Sequence, residues 1–427
     1  MKQMTKTETP IIRSLLDIDF YKFTMGQFIH RFYPDIETTF ELINRERGIP
    51  LSRIVPESAL RREFDHARTL CITDEEVRFL RETEAYGGDL FSEEYLDFLR
   101  NGLTLPPYRL ERKKEQYLLR FDGPWKTVTF WETIALAIVS ELYSRSIMAP
   151  LSENERGNVY AVARKRIARK LDSLAGIPDL RFADFGQRRR HSGDWQREIV
   201  RMCLERTRSQ FIGTSNTLLA KEMSIPPVGT NAHELPMILT AVTEDNWKRR
   251  VQYEVTERWQ ALYRGKSPNL LVFLPDTYGT TQFLKHAPER LAREWKGFRQ
   301  DSGDPERTAE RYIGWLRKHG VNPRERLIIF SDGLNEDEML YLHKRFSGEI
   351  GVAFGWGTLL TNDFRGIRPD LPLLRPFSLV CKATQANRRP VVKLSDNVQK
   401  ATGPVFEVER YLRIFGRNGR EDRTVLV

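Results

Sequence analysis

Apolar runs of about five residues, each closed by a short polar cluster and followed by a helical pattern, recur in the second half of the chain. Leu270–Leu274 leads into Pro275-Asp276-Thr277-Tyr278-Gly279, and Trp295–Phe298 into Arg299-Gln300-Asp301-Ser302-Gly303-Asp304. Leu327–Phe330 leads into Ser331-Asp332-Gly333, and Ile350–Phe354 into Gly355-Trp356-Gly357-Thr358. Runs that are apolar throughout suit parallel strands covered on both faces, and in an α/β barrel the residues after such strands gather on one rim. Helical spacing predicts a helix from Glu306 to Lys318 that stops at Gly320, and another from Asn335 to Phe346 whose acidic start suits a helix N-terminus. The repeat of roughly thirty residues is that of a βα unit. Gly213-Thr214 and Gly229-Thr230 end two further short runs and fit two more strand tops, where N–H groups and hydroxyls are available to anions. His233 falls on the same rim. A lone His beside Glu234 is ordinarily a hydrogen-bonding partner; it is also a residue that can accept a phosphoryl group, its neighbour fixing the tautomer.

The first third reads differently. Strand-like runs at Glu37–Ile43, Tyr117–Phe121 and Thr127–Trp131 mix with helical pieces at Asp74–Thr83 and Ser92–Asn101, and Arg112-Lys113-Lys114 connects a hairpin. A helical block runs from Trp131 to Leu174, with a basic, solvated face at Arg164–Lys170. The βα series then runs to about Cys381, and strand-like runs return at Pro390–Leu394 and Val405–Phe415. The expected architecture is α/β: a barrel over residues 131–387, and an α+β accessory domain over 1–130 that residues 388–427 rejoin.

Composition narrows the function classes. With 427 residues, 40% hydrophobic and 30% charged, this is ordinary globular material for two domains or a barrel with an added layer. The three cysteines, Cys71, Cys203 and Cys381, are far apart and odd in number, which points to a reducing compartment and away from a disulfide framework or a zinc cluster. Glu132 and Glu141 interrupt the longest apolar stretch, Phe130–Tyr143, and no export signal opens the chain, so a cytoplasmic protein that inserts in no membrane is expected. The net charge of +10 suits nucleic acid or substrates with several phosphates. The basic excess is dispersed, without a nucleic-acid-binding motif, and this favours the small phosphorylated substrate.

Seven motifs in order resemble the nicotinate phosphoribosyltransferase family. Leu16-Asp17-Ile18-Asp19-Phe20-Tyr21-Lys22-Phe23-Thr24-Met25 is similar to that family's N-terminal signature, and Phe185-Gly186-Gln187-Arg188-Arg189-Arg190-His191-Ser192 to its arginine element. Gly213-Thr214-Ser215-Asn216, Gly229-Thr230-Asn231-Ala232-His233-Glu234, Arg299-Gln300-Asp301-Ser302-Gly303-Asp304-Pro305, Ser331-Asp332-Gly333-Leu334 and Phe354-Gly355-Trp356-Gly357-Thr358 follow. Gln187, His191, Asn231, Trp356 and Leu359 depart from the usual pattern at variable or flanking places.

The resemblance implies an irregular α/β barrel of the type II phosphoribosyltransferase kind, with a second domain built from both chain ends. It implies conversion of nicotinate and phosphoribosyl pyrophosphate to nicotinate mononucleotide and pyrophosphate, on the way to NAD, with ATP as co-substrate and Mg²⁺ as cofactor. His233 matches the phosphorylated histidine. Asp301 and Asp332 match carboxylates near the ribose and its magnesium, and Arg188 and Arg299 match arginines around the pyridine carboxylate and the phosphates. Tyr21 and Phe185 match the aromatic pair about the pyridine, while Ser302, Gly303, Gly333, Gly357 and Thr358 lie in the substrate-binding turns. The oligomeric state stays open, a homodimer with Tyr21 serving a neighbouring subunit being one arrangement. The related nicotinamide enzymes carry Asp where Ser215 stands. A hydroxyl can donate to nicotinate's carboxylate, whereas a carboxylate would repel it, so Ser215 favours the acid over the amide. Nicotinamide and quinolinate phosphoribosyltransferases are the alternatives within the fold.

Overall fold

The computed structural model describes residues 9–83, 89–417 and 419–422. Two sheets organise them. One is parallel and consists of β4 (Phe182–Asp184), β5 (Phe211–Thr214), β6 (Val272–Phe273), β7 (Gly297–Gln300), β8 (Leu327–Phe330) and β9 (Gly351–Trp356), in the order β5-β4-β9-β8-β7-β6. The predicted helices follow their strands, at Pro305–Lys318 and Glu336–Phe346, with Asp304 and Asn335 as N-caps. Gln300 stands opposite Phe330, and Phe330 opposite Phe354, so the polar residues after these strands leave the sheet at one level. The barrel is irregular because β5 and β6 do not pair directly. The extended segment 226–231 bridges that gap: Val228 N donates to Thr214 O at 2.8 Å, and Asn231 Nδ2 to Val272 O at 3.2 Å.

The antiparallel sheet consists of β1 (Glu37–Asn44), β2 (Tyr108–Lys113), β3 (Gln116–Pro124), β10 (Leu379–Ala386) and β11 (Arg389–Pro390), in the order β11-β10-β1-β3-β2. The expected hairpin joins β2 to β3, and Lys114 takes its left-handed position at φ 55°. The helix Trp131–Met148 packs on β1 and β10. It is apolar nearly all round, which is why it is buried on almost every side between sheet and barrel.

Three expectations need correction. Val405–Phe415 is a helix, not a strand; its buried residues Glu407, Tyr411, Leu412 and Phe415 follow helical spacing. Thr127–Trp131 is not a strand either. The ladder ends at Pro124, which lacks an N–H to continue it, and Trp125–Val128 forms a helical turn. The strand that carries the chain back to the antiparallel sheet is Leu379–Ala386, ahead of residue 388, and the βα series ends at β9. Beyond Pro390 the chain crosses to the barrel rim, where Leu394 N and Ser395 N both donate to Thr277 O.

Among the described residues, no helix is long and apolar enough to cross a membrane. Cys203 and Cys381 are buried and Cys71 is exposed.

Candidate active site

The strand ends meet the crossing segment 391–400 in a cluster of opposite charges. His233, at the start of the helix Glu234–Val242, lies between the loops after β6 and β7. Its Nδ1 is 2.9 Å from Thr277 Oγ1 and its Nε2 is 3.1 Å from Asp301 Oδ2. A second carboxylate oxygen, Asp276 Oδ1, lies 3.5 Å from Nε2. A carboxylate only accepts, so in the neutral ring Nε2 carries the proton and Nδ1 accepts from Thr277. Burial lowers the His233 pKa, and Lys393 adds to this, against the two carboxylates. Burial also opposes the charge on Asp301, but the His233 hydrogen bond and the cations Arg299, Lys400 and Lys393 outweigh it and hold its pKa well below the usual range.

Ser302 Oγ donates to Asp276 Oδ2 at 2.6 Å and itself accepts from Ser395 Oγ and Asp396 N. It is buried, so this predicted substrate contact braces Asp276 from behind. Gly303 at φ +77° passes the backbone close to Asp396, whose carboxylate accepts from Thr280 N at 2.8 Å. Lys393 Nζ is 3.4 Å from Asp276 Oδ2. Lys400 Nζ donates to Asp301 O at 2.7 Å and pairs with Asp332. Burial raises the Asp332 pKa, against the pull of Lys400. Arg299 Nη1 reaches Asn231 O at 3.3 Å. Gly333 follows at φ +62°, and Gly357 and Thr358 begin the helical turn after β9.

The second half of the site lies over β4 and β5. Ser215 N donates to Asp184 O and Phe20 N to Ser215 O, both at 2.7 Å, so the N-terminal signature runs against the Gly213–Asn216 turn. Arg188 lies 5.8 Å from the Tyr21 ring, 3.4 Å from Asp19 Oδ2 and 3.7 Å from Glu132 Oε1. The Tyr21 hydroxyl donates to Glu132 Oε2 at 3.1 Å. Tyr21 and Arg188 therefore meet within one chain. The Phe185 ring lies over β9: a Cβ on Gly355 would come within 2.4 Å of it, so only glycine leaves the ring this seat. Arg188 and Asp301 are near enough for their charges to interact across the two halves.

Glu234 does not fix the His233 tautomer. It accepts from Lys22 Nζ, Trp125 Nε1 and Thr129 Oγ1, each at 2.6 Å, and so pins its helix to the N-terminal signature. Arg190 is structural as well. It forms a buried fork with Asp17, at 2.6 and 2.8 Å. His191 stacks on Phe364 at 3.8 Å, and burial pushes its pKa down to about 3. Asp276, Lys393, Ser395, Asp396 and Lys400 were not among the predicted site residues. Asp276 stood in the first strand-end cluster and was legible there; the other four arrive on a tail with no local signal. His233, Asp276 and Asp301 each bring one ligand atom within 4.8 Å of the others, a set able to hold a metal ion.

Comparison with known proteins agrees with this geometry. Residues 180–419 match the nicotinate phosphoribosyltransferase (NAPRTase) family, and residues 16–140 match the N-terminal domain of the same family. The structure is similar to that of nicotinate phosphoribosyltransferase from Vibrio cholerae, with TM-score 0.84 and 32% identity over 95% of each chain. The Porphyromonas gingivalis enzyme gives TM-score 0.83 and 28% identity over 95% of this chain and all of that one. A putative nicotinate phosphoribosyltransferase from Saccharomyces cerevisiae gives TM-score 0.82 and 27% identity over 95% of this chain and 98% of the other. With the matched regions covering both sheets and every residue of the cleft, the chain belongs to the nicotinate phosphoribosyltransferase family.

Proposed function

We propose that this protein transfers the phosphoribosyl group of phosphoribosyl pyrophosphate to the ring nitrogen of nicotinate, in NAD biosynthesis, and that a phosphate taken from ATP by His233 drives the reaction. Family membership supports the transferase. The observation that carries the ATP-coupled part is the His233 ring held between Thr277 and Asp301.

Thr277 is buried while Asp301 is partly exposed, so Nε2 is the edge of the ring that faces the cleft. For phosphorylation the ring takes its other tautomer, Nδ1–H donating to Thr277 Oγ1; the Nε2 lone pair then forms the N–P bond while the bond from the γ-phosphorus to the bridging oxygen breaks, and ADP leaves with that electron pair. In the transfer itself, positive charge grows on the ribose ring and negative charge on pyrophosphate. Carboxylates at Asp301 and Asp332 suit the former, and Lys393, Lys400 and Arg299 the latter. Phe185 and Tyr21 orient the pyridine so that its nitrogen attacks without a covalent enzyme intermediate on the sugar.

The oxygen donors of Asp276 and Asp301 fit Mg²⁺, which prefers carboxylate and phosphate oxygens and keeps several waters, and Asp332 is near enough for its charge to interact with both. When bound, it would neutralise charge on the departing pyrophosphate.

The deciding assay is product formation from nicotinate and from nicotinamide, each with and without ATP. Nicotinate mononucleotide formed faster with ATP is the expected result. Equal turnover of the two pyridines, or indifference to ATP, would overturn the corresponding part.

A further inference from the structure

Ser215 was expected to favour an acid because a carboxylate in its place would repel one, yet the fold sets a carboxylate beside it. Asp19 is 2% exposed and Ser215 3%. Their backbones pair through the Asp19–Asn216 bridge and the Phe20 N to Ser215 O hydrogen bond. Among the described residues, neither Asp19 Oδ2 nor Ser215 Oγ makes a hydrogen bond of good geometry, although the Ser215 hydroxyl is near enough to Asp19 to lower its pKa. The Arg188 Nε, 3.4 Å from Asp19 Oδ2, supplies an ion pair only. Two buried polar atoms without a well-formed hydrogen bond, next to the Arg188 guanidinium, mark a place for a ligand's polar group.

Arg188 faces Asp19 from the turn after β4, Ser215 from the turn after β5, Asp184 from the end of β4, Glu132 from the helix Trp131–Met148, and Tyr21 from the adjoining helix. Glu132 is paired with Lys22 at 2.5 Å, and Asp184 accepts from Gly186 N, Thr214 Oγ1 and Gln196 Nε2, so both anions are held. Among the described residues, Arg188 is the cation paired with Asp19. A pyridine carboxylate placed here competes for it, and two carboxylates then share one guanidinium in a buried site.

We propose that Asp19 is a specificity-determining residue of the pyridine pocket, which takes one proton from solvent when a pyridine carboxylate binds and donates it to that carboxylate. This rests on the pocket formed by Tyr21, Phe185, Arg188 and Ser215 being the pyridine site. The acid-acid pair gives Asp19 Oδ2 its missing partner, leaves Ser215 free to donate to the second carboxylate oxygen, and returns its proton when product leaves. Burial already raises the pKa of free Asp19 to about 6, against Arg188 and Ser215. At neutral pH the empty site is therefore mostly ionised and an incoming anion must bring in the proton. A carboxamide is neutral and needs none, so selectivity for the acid falls as pH rises.

Isothermal titration calorimetry of nicotinate binding, in two buffers of different ionisation enthalpy at pH 7.5, reads the proton directly. Uptake of about one proton is expected, with a Kd that rises close to tenfold per pH unit between pH 7 and 8.5 while that of nicotinamide stays flat. Asp19→Asn should bind nicotinate with no proton uptake and a flat pH profile. Nicotinate binding to the unmodified enzyme without proton uptake, or uptake that persists in Asp19→Asn, overturns the proposal and leaves the pocket standing. If Phe185→Ala and Ser215→Ala leave nicotinate affinity unchanged, the pocket reading falls and this proposal with it.

Discussion

His233 Nε2 and Asp301 Oδ2 are 3.1 Å apart, while the opposite ring nitrogen rests on buried Thr277. The two edges of the ring are thus held by residues from two different strand ends, β6 and β7. Incubation with ATP labelled in the γ-phosphate should give a protein-bound phosphate that is acid-labile, base-stable and attached at Nε2 by phosphorus NMR. His233→Ala should give none, and should retain some ATP-independent synthesis because the sites for nicotinate and the ribosyl donor remain. Phosphoenzyme in His233→Ala would end this assignment. The buried, stacked His191 offers no ready substitute.

Asp301→Asn and Asp332→Asn should each lower turnover by about 10² or more, the loss of an electrostatic contributor of roughly 3 kcal/mol. Their stability effects should differ. The Asp332 side chain is 8% exposed and paired with Lys400, whereas that of Asp301 is 29% exposed. Asp332→Asn strands a partly buried lysine and should lower Tm, while Lys400→Met in the same chain should restore Tm but not turnover. Steady-state kinetics beside thermal melts would separate a catalytic carboxylate from a structural cap.

Ser215→Asp would put a second carboxylate against Asp19 and Arg188. It should weaken nicotinate by about 1 to 3 kcal/mol in kcat/KM, for an opposed charge and a lost donor. Competition between nicotinate and nicotinamide measures it, and unchanged selectivity would show that Ser215 does not read the pyridine substituent; the following helix is capped by Asn216, not by Ser215.

The Asp17–Arg190 pair is almost wholly buried, at 7% and 1% side-chain exposure, and is completed by Asn216 and Gln187 on the Asp17 carboxylate. Removing one partner, as in Arg190→Met, should cost about 3 to 5 kcal/mol of stability by leaving a buried charge unpaired. Burial works against the Asp17 charge, but Arg190, Asn216 and Gln187 prevail and lower its pKa. A depressed folded-state pKa means that the contribution is full above the unfolded carboxylate range of about 4 and is lost as pH falls below it. Urea melts from pH 7 down to pH 3 should show the gap between wild type and Arg190→Met narrowing.

The chain's own pattern determined the parallel barrel, because strands covered on both faces must be apolar throughout and the polar residues after them can only stand at the rim. It determined His233, Asp301, Asp332 and Arg299 as rim residues for the same reason. The helix Val405–Phe415 was not legible: at its length, aromatic and β-branched residues fit either period, and burial against Tyr278 decided for the helix. Lys393, Lys400 and Asp396 were invisible for a different reason. Nothing local marks a lysine as catalytic; these acquire their setting only when residues 391–400 cross from the antiparallel sheet to the barrel rim, more than fifty residues in sequence from Asp332 or Asp301. Asp19 stood in plain view in the N-terminal signature, but its meaning depended on Ser215 and Arg188 arriving beside it from two strand ends. Charge interactions of this kind act through space and at low dielectric, so tertiary structure alone decided which carboxylates are partnered and which are left facing the cleft.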